Sequence, residues 1–149
     1  MSDGASPSPQ PPSPRYTGTI RVYYFDTDAG GVVHNVAYLR MIEVVRTDLA
    51  ANLGWTMKEM ADTGIVPVVA RTEIDYLKPA RLGDDLRIEG RLVSFEKIRF
   101  HLEFEIFRAS DGVLLTRCRQ TMVTVNIASG RPQPVLKRWV ETFPDLISR

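Results

Sequence analysis

Cysteine and histidine are scarce in this 149-residue sequence, and their scarcity excludes several classes of protein. The single cysteine, Cys118, excludes an internal disulfide and a multi-cysteine metal site. With two histidines in the whole chain, a conventional zinc centre is not expected either. Nineteen basic and 18 acidic residues give a net charge of +1, so the composition offers no electrostatic basis for binding nucleic acid or an anionic membrane.

Long apolar segments are also missing. No run approaches the roughly 20 residues that a membrane-spanning helix needs, and residues 1–14 lack the basic and apolar regions of a signal peptide. These residues are instead rich in proline and serine, which predicts a disordered tail. Residues 15–149 have the length and composition of a single globular domain, for which the cytoplasm is the expected location.

The spacing of the apolar residues predicts one long helix among several strands. From Asn35 onward these residues recur at helical intervals, which predicts a helix over residues 35–53, capped by Asn35 and terminated by Gly54. A short helix is predicted over residues 56–62 and a closing helix within residues 134–143. Alternating or β-branched segments, with a hairpin at Asp111-Gly112, predict strands over residues 17–25, 65–76, 85–95, 99–107 and 114–126.

This order of elements predicts an α+β fold. The long helix is expected to bury its apolar stripe against the concave face of a five- to six-stranded antiparallel sheet. Because such a sheet exposes an edge beside long strands, we predict that chains pair into a homodimer, or into a homotetramer built from two dimers.

Two carboxylates and two glycines lie between the first strand and the long helix. Gly30 and Gly31 permit backbone conformations closed to other residues and let a ligand approach the main chain. The first N–H groups of the helix lack intrahelical acceptors and suit a developing oxyanion. A carboxylate across from them, at Asp28, can attack a thioester carbonyl or activate water. An Asx-type turn followed by a helix cap has the same pattern, so these residues alone leave catalysis open.

A family resemblance starts at these residues. Residues 26–38, with the sequence DTDAGGVVHNVAY, closely follow the signature of the 4-hydroxybenzoyl-CoA thioesterase family of hotdog-fold proteins. The sequence is most similar to the branch of short acyl-CoA thioesterases associated with the Tol-Pal gene cluster. Glu43 and Arg46 extend the match along the helix, and residues 75–84 extend it to a turn between two strands. In all, the resemblance covers roughly residues 17–126.

The resemblance implies a hotdog fold, in which the sheet wraps a long central helix, and a dimer with two sites at the subunit interface. The residue matching Asp28 is the catalytic nucleophile or general base, and the backbone N–H near Asn35 forms the oxyanion hole. Neither a metal nor a cofactor is implied. The acyl group would occupy an apolar tunnel beside Gly31, Val32 and Tyr38.

The substrate that the resemblance implies is acyl-CoA, which lies along the surface with its phosphates on basic residues. Lys97 and Arg99 match the family's phosphate-binding segment, and Arg71 is the next candidate. A solvated surface position is an equally good interpretation of each of these side chains.

One position departs from the family pattern. The Tol-Pal-associated branch usually has histidine where this sequence has Asn35, and here His34 immediately precedes that position. Adjacent residues at a helix start point in different directions, so His34 is a catalytic candidate whose alternative role is packing or capping. Asp26 is predicted to organise the loop by accepting backbone N–H groups, and Glu43 to pair with Arg46 or a strand arginine.

Together these features predict a thioesterase that hydrolyses acyl-CoA to the free acid and CoA. Hydrolysis of acyl groups from a carrier protein stays open, because both substrates share the phosphopantetheine arm. A non-catalytic acyl-CoA-binding module is a third possibility, although a binder gains nothing from the Asp28 carboxylate beside an anionic ligand. A hotdog dehydratase would require a different pairing of Asp and His.

Overall fold

The structure, a computed structural model, describes residues 12–148. Most of the predicted tail, residues 1–11, therefore lies outside the described residues. At the predicted end of that tail, the Ser13 N–H donates to the Asn52 carbonyl and the Pro14 carbonyl accepts the Leu92 N–H. Within residues 12–148, no helix combines the length and the hydropathy that crossing a membrane requires.

A five-stranded antiparallel sheet and a long helix form the framework. In chain order the elements are β1 (Arg15–Arg21), α1 (Asn35–Asn52), α2 (Met57–Thr63), β2 (Ile65–Tyr76), β3 (Asp85–Phe95), β4 (Arg99–Arg108), β5 (Leu114–Asn126) and α3 (Lys137–Thr142). The strand order is β1-β3-β4-β5-β2, so β1 and β2 form the two edges of the sheet. The predicted α+β arrangement of one long helix on an antiparallel sheet is confirmed.

The predicted bounds of β2 and β3 are also confirmed, and the long helix, predicted over residues 35–53, begins at Asn35 and ends one residue early at Asn52. Gly54, just beyond α1, adopts a φ of +82°, the left-handed conformation expected of a residue that terminates a helix. The Thr56 hydroxyl caps α2 by accepting the Glu59 N–H at 3.2 Å. The predicted Asp111-Gly112 hairpin is present, and its loop comprises residues 109–113.

The first strand is shorter than its β-branched and aromatic residues predict. Instead of continuing to residue 25, β1 ends at Arg21, and a short 3₁₀ helix follows at Tyr24–Asp26. The chain turns there because the Asp26 carboxylate accepts the Tyr23 N–H at 3.0 Å. A local side-chain hydrogen bond therefore overrides the strand propensity of this segment.

The apolar stripe of α1 packs into a single core with the inward residues of the strands. The α1 residues that recur at helical intervals are all buried: Tyr38, Met41, Ile42, Val45 and Leu49. The inward residues of β4 are buried as well: Phe100, Leu102, Phe104 and Ile106. In β3, Gly90 makes room for the Phe104 ring, since a Cβ there would lie 2.9 Å from it. At the far end, α3 closes the core with Trp139, whose indole N–H donates to the Leu53 carbonyl.

The helix does not cover the whole concave face of the sheet. It packs mainly against β1 and β3. The inward residues of β5 are buried, so the open part of the face lies at the edge strand β2. The edge strand β2 is correspondingly exposed along most of its length, including Val68 and Val69. This open side of the concave face adjoins the start of α1, where the predicted catalytic residues lie.

Candidate active site

The loop between β1 and α1 is held by antiparallel pairing of its two arms. The Asp28 N–H donates to the Val32 carbonyl at 2.9 Å, and the His34 N–H donates to the Asp26 carbonyl at 3.0 Å. At the tip Gly31 adopts a φ of +73°, a conformation that favours glycine. These bonds fix the predicted catalytic carboxylate and the start of α1 in one hairpin.

Asp26 is the anchor of this hairpin. Its side chain is 1% exposed, and its Oδ1 lies 2.5 Å from Nη2 of Arg40 on α1. The guanidinium of Arg40 also lies 5.6 Å from the centroid of the exposed Phe25 ring, a cation–π contact. With the Tyr23 N–H on Oδ2, both carboxylate oxygens of Asp26 are occupied. This is the loop-organising role that the sequence predicts for Asp26.

The Asp28 carboxylate is exposed, and one of its two oxygens accepts hydrogen bonds. Its Oδ1 accepts the Gly30 N–H at 2.9 Å and approaches the Val32 N–H at 3.4 Å. Within residues 12–148, no donor contacts its Oδ2. The Asx-type turn that the sequence leaves open as an alternative is therefore present, and it orients the carboxylate while leaving one oxygen available. The turn and a catalytic role are compatible.

The start of α1 is capped by His34 and not, as predicted, by Asn35. His34 Nδ1 accepts the Ala37 N–H at 3.2 Å, whereas Asn35 is the first helical residue and its Oδ1 accepts the Val36 N–H. An accepting Nδ1 puts the proton of the neutral imidazole on Nε2. Among the described residues no acceptor contacts the Asn35 N–H, which leaves it as the free donor at the helix start.

We expect His34→Ala to lower stability and to leave the chemistry almost unchanged. Losing the cap should reduce the free energy of unfolding by about 1 kcal/mol, seen as a lower midpoint in urea, with kcat within about threefold of wild type. His34→Asn restores a capping acceptor and should recover most of the stability. A hundredfold fall in kcat for both variants would make the imidazole catalytic and refute the capping role.

The segment after β2 supports the hairpin from its other side. The Val33 N–H donates to the Ala80 carbonyl at 2.9 Å, and the Leu82 N–H donates to the Gly31 carbonyl at 3.0 Å. The Ala80 N–H in turn donates to the Tyr38 hydroxyl at 3.0 Å. Tyr38 is 3% exposed, and burial raises the pKa of its phenol. Residues 75–84, which carry part of the family resemblance, thus hold the loop in place.

A cleft of about 290 Å³ lies between the loop, the helix start and the end of β2. It is lined by three of the predicted site residues, Val32, Asn35 and Tyr38, and also by Tyr76 and Lys78. The Tyr76 hydroxyl donates to the Asn35 carbonyl at 3.3 Å, so this wall contacts the helix start directly. Neither Tyr76 nor Lys78 is singled out by the sequence, although both fall in the segment that matches the family.

The predicted CoA-binding residues do not lie near Asp28 in the same chain. Lys97 and Arg99 are at the β3–β4 turn, while the loop adjoins the start of β3 through the bond from the Val22 N–H to the Asp84 carbonyl. The 11 residues of β3 separate these two ends by roughly 35 Å. Arg71 is exposed in the middle of β2, where it pairs with Glu73 at 2.8 Å. One chain alone therefore does not assemble the predicted substrate site.

The structure also shows the surroundings of the other candidate groups, Glu43 and Cys118. The Glu43 carboxylate lies 3.9 Å from the Arg46 guanidinium, the predicted helix pair. Cys118 is buried on β5, and burial raises the pKa of its thiol to about 11, so it is not a reactive thiolate near neutral pH. Among residues 12–148, no group of three His, Cys, Asp or Glu side chains is placed to hold a metal ion.

The sequence and the fold of this chain are both similar to those of known proteins. A sequence profile of the thioesterase-like superfamily matches residues 23–142. The acyl-CoA thioester hydrolase YbgC of Escherichia coli is 30% identical over 124 residues, which cover 83% of this chain and 92% of that protein. The 1,4-dihydroxy-2-naphthoyl-CoA hydrolase of Thermosynechococcus vestitus is 26% identical over 137 residues, covering 90% and 94%.

Solved structures give the fold class. A probable thioesterase from Bartonella henselae superposes with a TM-score of 0.76 at 25% identity, covering 82% of this chain and 99% of that one. Slr0204, a 1,4-dihydroxy-2-naphthoyl-CoA thioesterase from Synechocystis, gives a TM-score of 0.78 at 24% identity, covering 89% and 97%. The fold is thus a hotdog fold, as predicted. The chain belongs to the thioesterase-like superfamily, and the prediction of a thioester hydrolase is confirmed at that level.

Proposed function

We propose that this protein hydrolyses acyl-CoA, with Asp28 as the catalytic carboxylate and the Asn35 N–H as the oxyanion donor. The observation that carries the proposal is the geometry of Asp28: one oxygen is fixed by the Gly30 N–H, the other is free, and the hairpin joins it to the start of α1. Relatives named as acyl-CoA hydrolases support this substrate class.

The reaction needs a base or nucleophile and a site for negative charge. In the first route Asp28 takes a proton from water while the resulting hydroxide attacks the thioester carbonyl. In the second, Asp28 itself attacks and forms a mixed anhydride, which water then hydrolyses. In both routes the carbonyl oxygen becomes an oxyanion that accepts the Asn35 N–H, strengthened by the α1 dipole. Collapse breaks the C–S bond, and the CoA thiolate leaves and takes up a proton.

The proposed enzyme is a dimer that pairs its β2 edges. The outer edge of β2 has no strand beside it among the described residues, and its exposed side chains include Val68 and Val69. Antiparallel pairing around a two-fold axis would bring the start of the partner's β2 alongside Tyr76. The β3–β4 turn of the partner subunit lies at that same end of its sheet, so its Lys97 and Arg99 would approach the cleft at Asn35.

This pairing accounts for the separation of the predicted residues within one chain. The CoA phosphates would then contact Lys97 and Arg99 of the partner subunit, and Lys78 at the cleft wall is a further candidate. A structure of the same fold, SAV2348 from Staphylococcus aureus, was determined in complex with CoA. The cytoplasmic location stays a prediction from the sequence.

The test is a panel of short, long and aromatic acyl-CoAs with detection of released thiol. Purified protein should release CoA from at least one of them at a rate proportional to enzyme concentration, and should sediment with twice the mass of the 16.8 kDa chain. Acyl groups loaded on a carrier protein form a parallel arm. Release from the carrier alone would favour that substrate, and no release from any thioester would refute the enzyme assignment.

A further inference from the structure

A second cleft, of about 380 Å³, runs along the side of α1 that faces β2. It exists because α1 packs mainly against β1 and β3 and leaves the edge strand β2 exposed. Its volume is within the range of small-ligand sites. Val36, in the first turn of α1, lies at one end, and Leu39 and Val69 form apolar walls. The cleft therefore starts where the oxyanion donor is proposed.

Polar groups also line this cleft, among them two arginines, Arg40 and Arg46. Arg40 is already paired with the buried Asp26, whereas Arg46 is held by a different partner. The side chain of Arg46 is 19% exposed, and its Nη1 donates to Oε1 of Gln120 at 2.7 Å. Gln120, on β5, is 3% exposed, and its own amide donates to the Thr72 hydroxyl on β2 at 3.3 Å. This chain of hydrogen bonds holds the guanidinium in one position. Such ordering is what a binding group needs in order to select one ligand over another.

The charge of Arg46 is incompletely compensated within the described chain. Glu43 is 3.9 Å away, and its side chain is 67% exposed at the rim of the cleft. Of the five N–H donors of a guanidinium, one makes a hydrogen bond among residues 12–148. On its inner side Arg46 borders the apolar residues Leu49, Trp55 and Met122. Glu43 is the one carboxylate within 4 Å of the guanidinium among residues 12–148, and it lies beyond hydrogen-bonding distance, so donors of Arg46 stay available to an anionic ligand.

The distance between Arg46 and the helix start sets the length of the acyl chain that could reach from one to the other. Asn35 and Arg46 are 11 residues apart on α1, which is about 16 Å along the axis. Side chains on a helix lean toward its N-terminus, so the guanidinium lies closer to Asn35 than its Cα does. An acyl group whose carbonyl meets the Asn35 N–H, and which lies along the cleft, would bring its far end to Arg46.

From this geometry we infer that the acyl group carries a carboxylate at its far end, and that Arg46 binds it as the specificity-determining residue. The ligand class is thus the CoA thioester of a dicarboxylic acid, with one carboxyl at the scissile bond and the other on the guanidinium. Gln120 acts as a positioning residue. This inference rests on the proposed function, because it names the substrate class of that same site.

The experiment compares substrates of matched length with and without the second carboxyl. Suberoyl-CoA and sebacoyl-CoA are paired with octanoyl-CoA and decanoyl-CoA, because the acyl chain must span most of the roughly 16 Å between Asn35 and Arg46, and kcat/KM is measured for each. Wild type should prefer the dicarboxylic member of at least one pair by about tenfold or more, the scale of a charge-assisted hydrogen bond. Arg46→Met keeps the apolar stem and should lower kcat/KM for that substrate by the same factor, with the unsubstituted partner changed by less than about threefold.

Two further variants keep the test decisive. Gln120→Glu supplies Arg46 with an internal carboxylate, so it should remove the preference even if Arg46→Met folds poorly. Arg119→Met removes an arginine that pairs with Glu103 on β4, away from both clefts, and should leave the preference unchanged. Equal kcat/KM for the members of every pair in wild type would overturn the inference. No release from any thioester would instead count against the proposed function.

A structural role for Arg46 predicts a different pattern. If a carboxylate of the partner subunit binds Arg46, Arg46→Met should weaken the dimer in sedimentation and lower kcat/KM equally for both members of each pair. That result would overturn the inference, whereas a selective loss for the dicarboxylic substrate with an unchanged mass would support it.

Discussion

Replacing Asp28 by asparagine is expected to lower kcat by at least about a hundredfold, the scale of losing an essential base or nucleophile. The substitution is nearly isosteric, and its Oδ1 can still accept the Gly30 N–H that fixes the side chain. What it removes is the charge and basicity of the free oxygen. Thiol release at saturating acyl-CoA measures kcat, and thermal denaturation should show a midpoint within a few degrees of wild type.

A carboxylate that makes the same Asx-type hydrogen bond provides the control. Asp111, in the β4–β5 loop, also uses Oδ1 to accept the N–H two residues ahead, that of Val113 at 3.0 Å, while its Oδ2 pairs with Arg108 at 2.7 Å. The Asp111→Asn variant keeps this bond as Asp28→Asn keeps its own, but it lies far along the chain from α1. We expect its kcat to equal that of wild type. If Asp28→Asn keeps more than about a tenth of wild-type kcat, the catalytic carboxylate is elsewhere.

Periodicity predicts most of the framework because its determinants are local. In β4, apolar and polar residues alternate strictly, and the structure buries the apolar set from Phe100 to Ile106. The end of β1 is predicted wrongly because it depends on Asp26, whose partner Arg40 is 14 residues away on α1. No sequence pattern joins those two residues. Similarly, the cap falls on His34 because the loop pairing fixes its backbone, although asparagine is the commoner capping residue.

The residues of the proposed site also divide into those that are close in sequence and those that only tertiary structure brings together. Residues from Asp28 to Tyr38 are contiguous, so a motif can carry them, and the structure brings them to one hairpin and helix start. Lys97 and Arg99, which are predicted to bind the CoA phosphates, lie at the other end of the sheet. In the proposed dimer their role depends on a second chain, which the sequence does not describe. The cleft at Arg46 depends on where α1 rests on the sheet, a tertiary result that its amphipathic spacing leaves open.

Removing Asp26, the anchor of the loop that carries Asp28, should have a large effect on stability. Asp26→Ala leaves the Tyr23 N–H and the Arg40 guanidinium without the buried carboxylate that binds both. Because charged hydrogen bonds contribute about 1.5–3 kcal/mol each and Arg40 can partly rehydrate, we expect the free energy of unfolding to fall by about 2–3 kcal/mol. Urea denaturation of the purified protein measures this loss.

An exposed ion pair on the same protein shows how much of that loss is due to burial. Lys58 and Asp62 are paired at 2.6 Å on α2 with both side chains largely exposed, so Asp62→Ala should cost only about 0.5 kcal/mol. A double-mutant cycle of Asp26→Ala with Arg40→Ala then isolates the buried pair, and a coupling below about 0.5 kcal/mol would contradict its role as anchor.

Activity measurements distinguish the role of Asp26 from that of Asp28, the proposed catalytic carboxylate two residues further along the loop. Asp26 touches no proposed substrate atom, but its backbone carbonyl accepts the His34 N–H that joins the two arms of the hairpin. In Asp26→Ala we therefore expect the loop to loosen, so that kcat falls in step with stability and recovers when bound substrate or lower temperature restores the fold. In Asp28→Asn the deficit should persist at every temperature, because the missing group belongs to the chemistry and not to the fold.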